Sequence, residues 1–185
     1  MDTKNNMQFV GILPGSFDPP HKGHVSLCEI AFDRGITEII VVPAYNHPLK
    51  DNVTSFEHRM KMCRMSFKDK RIYISDIEKK IVKPEEKTYT IDTVIEVRNE
   101  LSQKYGPEGF HTRLLVGDDL LTEIREWKSA QILFELVPLI VIKRGEISST
   151  IIRHGFLNDN VPFGWLSWDV LKYIIENKLY NVKGD

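Results

Sequence analysis

Two short runs near the start of the chain, "MQFVGIL" (Met7–Leu13) and "TEIIVVP" (Thr37–Pro43), are apolar almost without interruption. A strand with one wet face alternates apolar and polar residues, so a run without alternation is buried on both sides. "RIYIS" (Arg71–Ser75), "TRLLVG" (Thr112–Gly117) and "VPLIVIKR" (Val137–Arg144) add three more strand-like runs. Helical spacings separate them. From His21 to Arg34, apolar residues fall at Val25, Leu27, Cys28, Ala31 and Phe32, and Gly35 is placed to end that helix. "TIDTVIEVRNELSQKYG" sets Val94, Val97 or Arg98, Leu101 and Tyr105 on one face. Strands alternating with helices predict an α/β fold: a Rossmann-like, doubly wound parallel sheet of about five strands, helices on both faces and a C-terminal helical segment.

Other signals place the remaining pieces. "TSFE" predicts a capping box, Thr54 at the N-cap and Glu57 at N3, opening a Met-rich helix to about Lys68. The polar run Glu78–Lys87 reads as a solvated surface loop, and helices are predicted near Ser148–Phe156 and Ser167–Asn177. At 185 residues the chain suits one domain, with a core over about 7–156 and a C-terminal helical part over about 157–185. The formal net charge of −1 asks for neither nucleic acid nor an anionic membrane. No apolar run is of membrane-spanning length, and "MDTKNNMQF" lacks the build of a signal peptide, so a cytoplasmic protein is expected. Cys28 and Cys63 lie in apolar helical patterns and read as buried thiols in a reducing compartment.

The stretch that carries chemistry is "GSFDPPHKGH" (Gly15–His24), where the first strand turns into its helix. In open parallel sheets, ligands bind beyond the carboxyl ends of the strands. The stretch contains neither G-x-G-x-x-G nor a terminal G-K-[ST], so it is neither a dinucleotide fingerprint nor a P-loop. Gly15 permits close backbone approach to a ligand. His21 and His24 stand at i and i+3, on one face of the first helical turn. A helix N-terminus attracts anions, and two imidazoles there add donors for phosphate oxygens. A zinc half-site is the alternative for such a pair, but no Glu follows as in H-E-x-x-H and no third ligand is apparent.

H-x-G-H behind a strand and a G-[ST]-F-D-P turn resembles the nucleotidyltransferase superfamily related to class I aminoacyl-tRNA synthetases. Four further segments narrow the resemblance to the nicotinate (nicotinamide) mononucleotide adenylyltransferases: "KTYTIDTV" (Lys87–Val94), "VGDDLLTEIREW" (Val116–Trp127), "ISSTIIR" (Ile147–Arg153) and "YIIENKLY" (Tyr173–Tyr180). The chain departs from the family pattern at Asp118, where Ala is usual, and at Leu49, where His is usual. Only Arg144, Gly145 and Glu146 stand where the family carries an inserted segment before the I-S-[ST]-T signature.

The resemblance implies transfer of AMP from ATP to nicotinate mononucleotide with release of pyrophosphate, by direct in-line displacement. It implies that Gly15, Ser16 and Phe17 form the turn over the nucleotide, while His21 and His24 face the ATP phosphates, His24 at the α-phosphate. Lys50, beyond the second strand, is a phosphate contact or a solvated loop lysine. Ile147, Ser148, Ser149 and Thr150 hold the triphosphate, whether or not the hydroxyls also cap a helix, and Arg153 offers a fork matched to phosphate oxygens. Gly117 and Asp119 take the adenosine side, with a helix cap as the plainer role for Asp118–Asp119. Thr90 and Trp127 hold the pyridine ring, unless Trp127 is plain core. Mg²⁺ is expected to accompany ATP, held by phosphates and water, with no protein ligand assigned to it. Nicotinamide mononucleotide or another phosphorylated acceptor, and a nucleotide-binding regulator without turnover, stay as alternatives. No nucleic-acid or membrane partner is expected, and a homo-oligomer is left open.

Overall fold

The computed structural model describes residues 7–48, 53–83, 85–143, 145–158 and 160–180. Five strands, β1 (Gln8–Gly15), β2 (Glu38–Pro43), β3 (Ile72–Ile74), β4 (Phe110–Gly117) and β5 (Leu139–Ile142), form one sheet in the order β3-β2-β1-β4-β5. Every neighbouring pair is parallel. Seven α-helices are seen among the described residues: α1 (Lys22–Asp33), α2 (Phe56–Ser66), α3 (Ile77–Ile81), α4 (Thr90–Tyr105), α5 (Ala130–Leu136), α6 (Ser149–Leu157) and α7 (Trp168–Glu176).

The unbroken apolar runs are explained by the two faces they serve. Val10 and Ile12 of β1, Val42 of β2, and Leu114 and Val116 of β4 pack under α4 and α5 through Val94, Val97, Leu101 and Leu133. The alternate residues Leu13, Ile39, Val41 and Leu115 pack on the other face with Cys28 and Ala31 of α1 and Cys63 of α2. A parallel strand in the middle of such a sheet has no side left for water. A third cluster joins Met62 of α2 to Ile152 and Phe156 of α6 and to Val170, Leu171 and Ile174 of α7. The C-terminal helices therefore pack on α2 rather than on the sheet. Both cysteines are buried and free, and burial pushes the Cys28 thiol up to about 12. Gly35, with φ of +89°, follows α1 where its C-terminus was expected.

Two expectations need correction. The N-cap of α2 is Ser55, whose side chain accepts the His58 N–H, not Thr54. Thr54 is committed to tertiary bonds instead: its N–H donates to Asp18 Oδ2 at 3.3 Å and its carbonyl accepts from Arg59 Nε at 2.7 Å. The Glu78–Lys87 run does not read through as a solvated loop, because its start belongs to α3 and Glu78 is buried. Glu78 accepts from the Tyr45 N–H at 2.8 Å and the Thr93 hydroxyl at 2.9 Å, and burial raises its pKa. A charged letter in a polar run had concealed a carboxylate shared between the loop after β2 and α4.

Candidate active site

The order β3-β2-β1-β4-β5 puts the reversal of strand order between β1 and β4, the place where doubly wound sheets bind ligands. The pairing of β1 with β4 runs to Ile12↔Leu114, three residues short of the ends of both strands, Gly15 and Gly117. The chain beyond Gly15 makes a tight reversal. Phe17 takes φ of +48°, the Asp18–Pro19 peptide is cis, and His21 is the N-cap of α1. The Phe17 ring lies over Gly15, where a Cβ would stand 3.0 Å from it. Its other neighbours are the rings of His24 and Phe67, both near edge-on. Only a residue without a side chain leaves room for that cover.

His21 and His24 form one unit. The rings stack with centroids 3.7 Å apart and planes 25° from parallel. The His21 N–H donates to His24 Nδ1 at 3.2 Å, and the His24 N–H donates to the His21 carbonyl at 2.9 Å. With Nδ1 accepting, neutral His24 carries its proton on Nε2. His21 is buried and His24 half-buried. Gly23 makes this stacking possible, since a Cβ there would meet His21 Nδ1 at 3.0 Å and Cε1 at 3.1 Å. A cap formed by two imidazoles places two titratable, donor-bearing rings at a helix N-terminus, the geometry that suits an anion. Among the described residues, no group of three or more His, Cys, Asp or Glu could hold a metal ion.

The distant signature "ISSTIIR" comes to the same turn. Ser149 Oγ donates to the Pro19 carbonyl at 2.9 Å, and Arg153 Nη1 donates to the Asp18 carbonyl at 2.7 Å. Arg153 Nη2 donates to Thr150 Oγ1 at 3.3 Å, and Ser148, the N-cap of α6, accepts the Thr150 N–H at 3.2 Å. Ile147 Cβ lies 3.5 Å from the Cβ position of Gly23. The N-termini of α1 and α6 therefore flank one loop. Both the capping role of Ser148 and the contact between the two motifs are in place, and part of the Arg153 fork is used on the loop itself.

Sequence reasoning missed a second layer beneath the turn. Arg59, buried in α2, donates from Nη1 to the Ser16 carbonyl at 2.8 Å as well as from Nε to Thr54. Burial lowers its pKa, while Asp18 acts in the opposite direction. The buried Asp18 accepts from the Tyr180 hydroxyl at 2.7 Å, and burial, followed by the Asp18 charge, pushes the Tyr180 pKa up. The signal for Arg59 was legible: it falls one turn from Phe56 and one turn from Cys63, on the apolar face of its own helix.

The other predicted residues form a second group. Gly117 is buried at the end of β4, with Asp118 and Asp119 exposed in the 3₁₀ turn that follows. The N-cap of that turn is Gly117, so neither aspartate has the capping role. Thr90 is the first residue of α4 and half-buried. Trp127 is half-buried and packs against the larger core cluster. The next residue, Lys128, pairs with Asp92 at 3.3 Å and lies 4.3 Å from the Tyr89 ring centroid, so the Thr90 and Trp127 segments are joined. A cleft of about 560 Å³ opens beside them, lined by Lys87, Tyr89, Asp92, Ile95, Glu96 and Lys128 among others. Lys50 lies outside the described residues. The loop that leads to it is tied to the approach to α4, with the Thr88 N–H donating to the Asn46 carbonyl at 3.0 Å and Asn46 Nδ2 donating to the Glu86 carbonyl at 2.9 Å.

Known proteins share this fold. The family model described as cytidylyltransferase-like matches residues 12–161. Nicotinate-nucleotide adenylyltransferase of Bacillus subtilis is 30% identical over 94% of this chain and 99% of its own length. The Plasmodium falciparum nicotinic acid mononucleotide adenylyltransferase, solved in complex with NaAD, superposes with a TM-score of 0.69 at 23% identity, covering 94% of this chain and 97% of that one. The same Plasmodium enzyme complexed with APC superposes with a TM-score of 0.67 at 22% identity. No helix among the described residues is long and apolar enough to cross a membrane. The chain belongs to the cytidylyltransferase-like family of nucleotidyltransferases, and within it to the nicotinate-nucleotide adenylyltransferases.

Proposed function

We propose that the chain transfers AMP from ATP to nicotinate mononucleotide and releases pyrophosphate, a step in NAD biosynthesis. The observation that carries the reading is the meeting of the His21–His24 cap and the Ser149–Arg153 turn on one loop at the strand-order switch point. A phosphate oxygen of the mononucleotide attacks the α-phosphorus of ATP in line. The bond from that phosphorus to the bridging oxygen of the β-phosphate breaks, and its electron pair leaves with pyrophosphate. No protein nucleophile is required, so the residues have to position two phosphates and stabilise charge that develops on oxygens.

The roles follow from the donors present. His24 contacts the α-phosphate in the transition state, and His21 holds its ring in place by stacking. The Ser148–Thr150 segment and Arg153 face the β- and γ-phosphates, with Lys50 adding a cation from the loop after β2. Gly15, Ser16 and Phe17 bring backbone to the nucleotide, and Gly117 and Asp119 bound the adenosine side. Thr90 and Trp127 take the pyridine ring, next to the cleft at Tyr89 and Lys128. The turn offers amide, hydroxyl, imidazole and guanidinium donors, which fit phosphate oxygens rather than a bare cation. Mg²⁺ would arrive on the ATP phosphates and neutralise their charge.

The test is an acceptor panel: purified protein, ATP and Mg²⁺ with nicotinate mononucleotide, nicotinamide mononucleotide and phosphopantetheine in turn. Pyrophosphate release fastest with nicotinate mononucleotide is the expected result. Silence with every acceptor, with ATP still bound, would replace the enzyme by a nucleotide-binding regulator.

A further inference from the structure

A buried arginine is costly unless its donors are used, because a guanidinium that leaves water loses its hydration. Arg59 is 2% exposed, and both of its described side-chain hydrogen bonds go to backbone carbonyls in loops that border the site, those of Ser16 and Thr54. Neither loop needs an arginine to exist, since water satisfies the carbonyl groups of most turns. The bond to Ser16 has a geometric consequence. The Ser16–Phe17 peptide is trans, so its carbonyl and its N–H point in opposite directions. Drawing the carbonyl towards α2 turns the Phe17 N–H away from α2. Among the described residues, no hydrogen bond consumes that N–H. Phe17 itself cannot relax to another orientation, because its ring is held over Gly15 and against His24 and Phe67 at φ of +48°.

We propose that Arg59 is a positioning residue which, from beneath the turn, holds the Ser16–Phe17 peptide so that the Phe17 N–H is presented to a phosphate of the bound nucleotide. Asp18 supports it from the same turn: its carboxylate favours the guanidinium charge and is itself held by the Tyr180 hydroxyl and the Thr54 N–H. The turn is thereby assembled with its amide already aimed, and no reorganisation is needed when phosphate arrives. The inference rests on the adenylyl-transfer reading for the identity of the nucleotide; its own claim is that Arg59 sets the orientation of this peptide.

The experiment has a spectroscopic and a kinetic arm. In ¹⁵N-labelled protein, the Phe17 amide resonance should move on titration with pyrophosphate, and with ATP. In Arg59→Lys, which keeps the charge but loses the fork, the movement should shrink and the apparent affinity fall by about tenfold, one lost charge-assisted hydrogen bond. Arg59→Met should lower kcat/KM by about a hundredfold, with Lys recovering part of the loss, all assayed well below each variant's unfolding midpoint. A purely structural arginine would lower the midpoint and leave kcat/KM of the folded fraction unchanged. That result overturns the proposal, as does a Phe17 amide that stays still in the wild-type protein. If Arg59→Met does not fold, Arg59→Lys alone decides, and wild-type behaviour of it refutes the proposal. Wild-type protein that shifts Phe17 but turns over no acceptor would sink the adenylyl-transfer reading while leaving the role of Arg59 standing.

Discussion

Around the turn after β1, the groups that hold the backbone are buried: Asp18 and Arg59 are each 2% exposed, and His21 is 1% exposed. Around Thr90 and Trp127, the joining pair is Lys128 with Asp92, whose side chains are 49% and 43% exposed. Buried, hydrogen-bonded groups hold their positions closely, whereas an exposed ion pair contributes little and is screened by salt. The difference follows the chemistry. Charge developing on a phosphate oxygen rewards donors that do not move, and the phosphate is common to every acceptor. The acceptor's ring is the variable part, and the Thr90 and Trp127 segments, to which the proposed function assigns it, are tied by an exposed pair that can be exchanged at small cost to the fold. The departure of this chain from its family at Asp118 lies on the exposed side of the same division.

The comparison is tested most severely at His24. His24→Ala should lower kcat by about 10²–10³-fold, the usual loss for one donor to a developing oxyanion, with the circular dichroism unchanged. A variant that fails to fold would make the imidazole a structural cap instead. Tyr180→Phe removes the hydroxyl from Asp18 Oδ1 without changing the ring. A buried carboxylate left short of a donor costs about 1–3 kcal/mol, read as a lower urea midpoint. A variant as stable as the wild type would show that water replaces the hydroxyl and that the turn is less closed than described. Gly23→Ala separates activity from stability. The helix gain of Ala over Gly, up to about 1 kcal/mol, is set against a Cβ placed 3.0 Å from the buried His21 ring, so the thermal midpoint should move little while kcat falls by about tenfold as the ring is displaced. Unchanged turnover would mean that the stacked geometry is not needed. The smallest effect is expected at the other pole. Lys128→Met should change stability by less than about 1 kcal/mol and raise KM for the acceptor a few-fold, leaving KM for ATP alone. A shift in KM for ATP of equal size would join the two poles that the structure keeps apart.

The elements of the sheet were legible because their physical cause is local. A strand buried on both faces has to be apolar throughout, and all five runs appear as strands with ends moved by a few residues. The long helix bearing Val94, Val97 and Leu101 follows for the same reason, its periodicity matching the face it buries. The short helices α3 and α5 carry too few turns for a period to show. The N-cap of α2 went to Ser55 rather than Thr54 because a bond across 36 residues, from Thr54 to Asp18, competes with a local cap. Within the site, His21 and His24 were legible as a pair because three residues along a helix are one turn. The partners of Arg59 and Tyr180 were not, since Ser16 and Asp18 lie 43 and 162 residues away.

By itself, the sequence determined the buried parallel strands and that "GSFDPPHKGH" stands at the carboxyl end of the first of them, because periodicity, apolar runs and turn residues are local quantities. The tertiary structure alone decided that "GSFDPPHKGH" and "ISSTIIR" form two walls of one loop, that Arg59 reaches that loop from beneath, and that Glu78 is inside. Those facts depend on contacts between distant segments, and such contacts are selected by the packing of helices on the sheet rather than by any short stretch of chain.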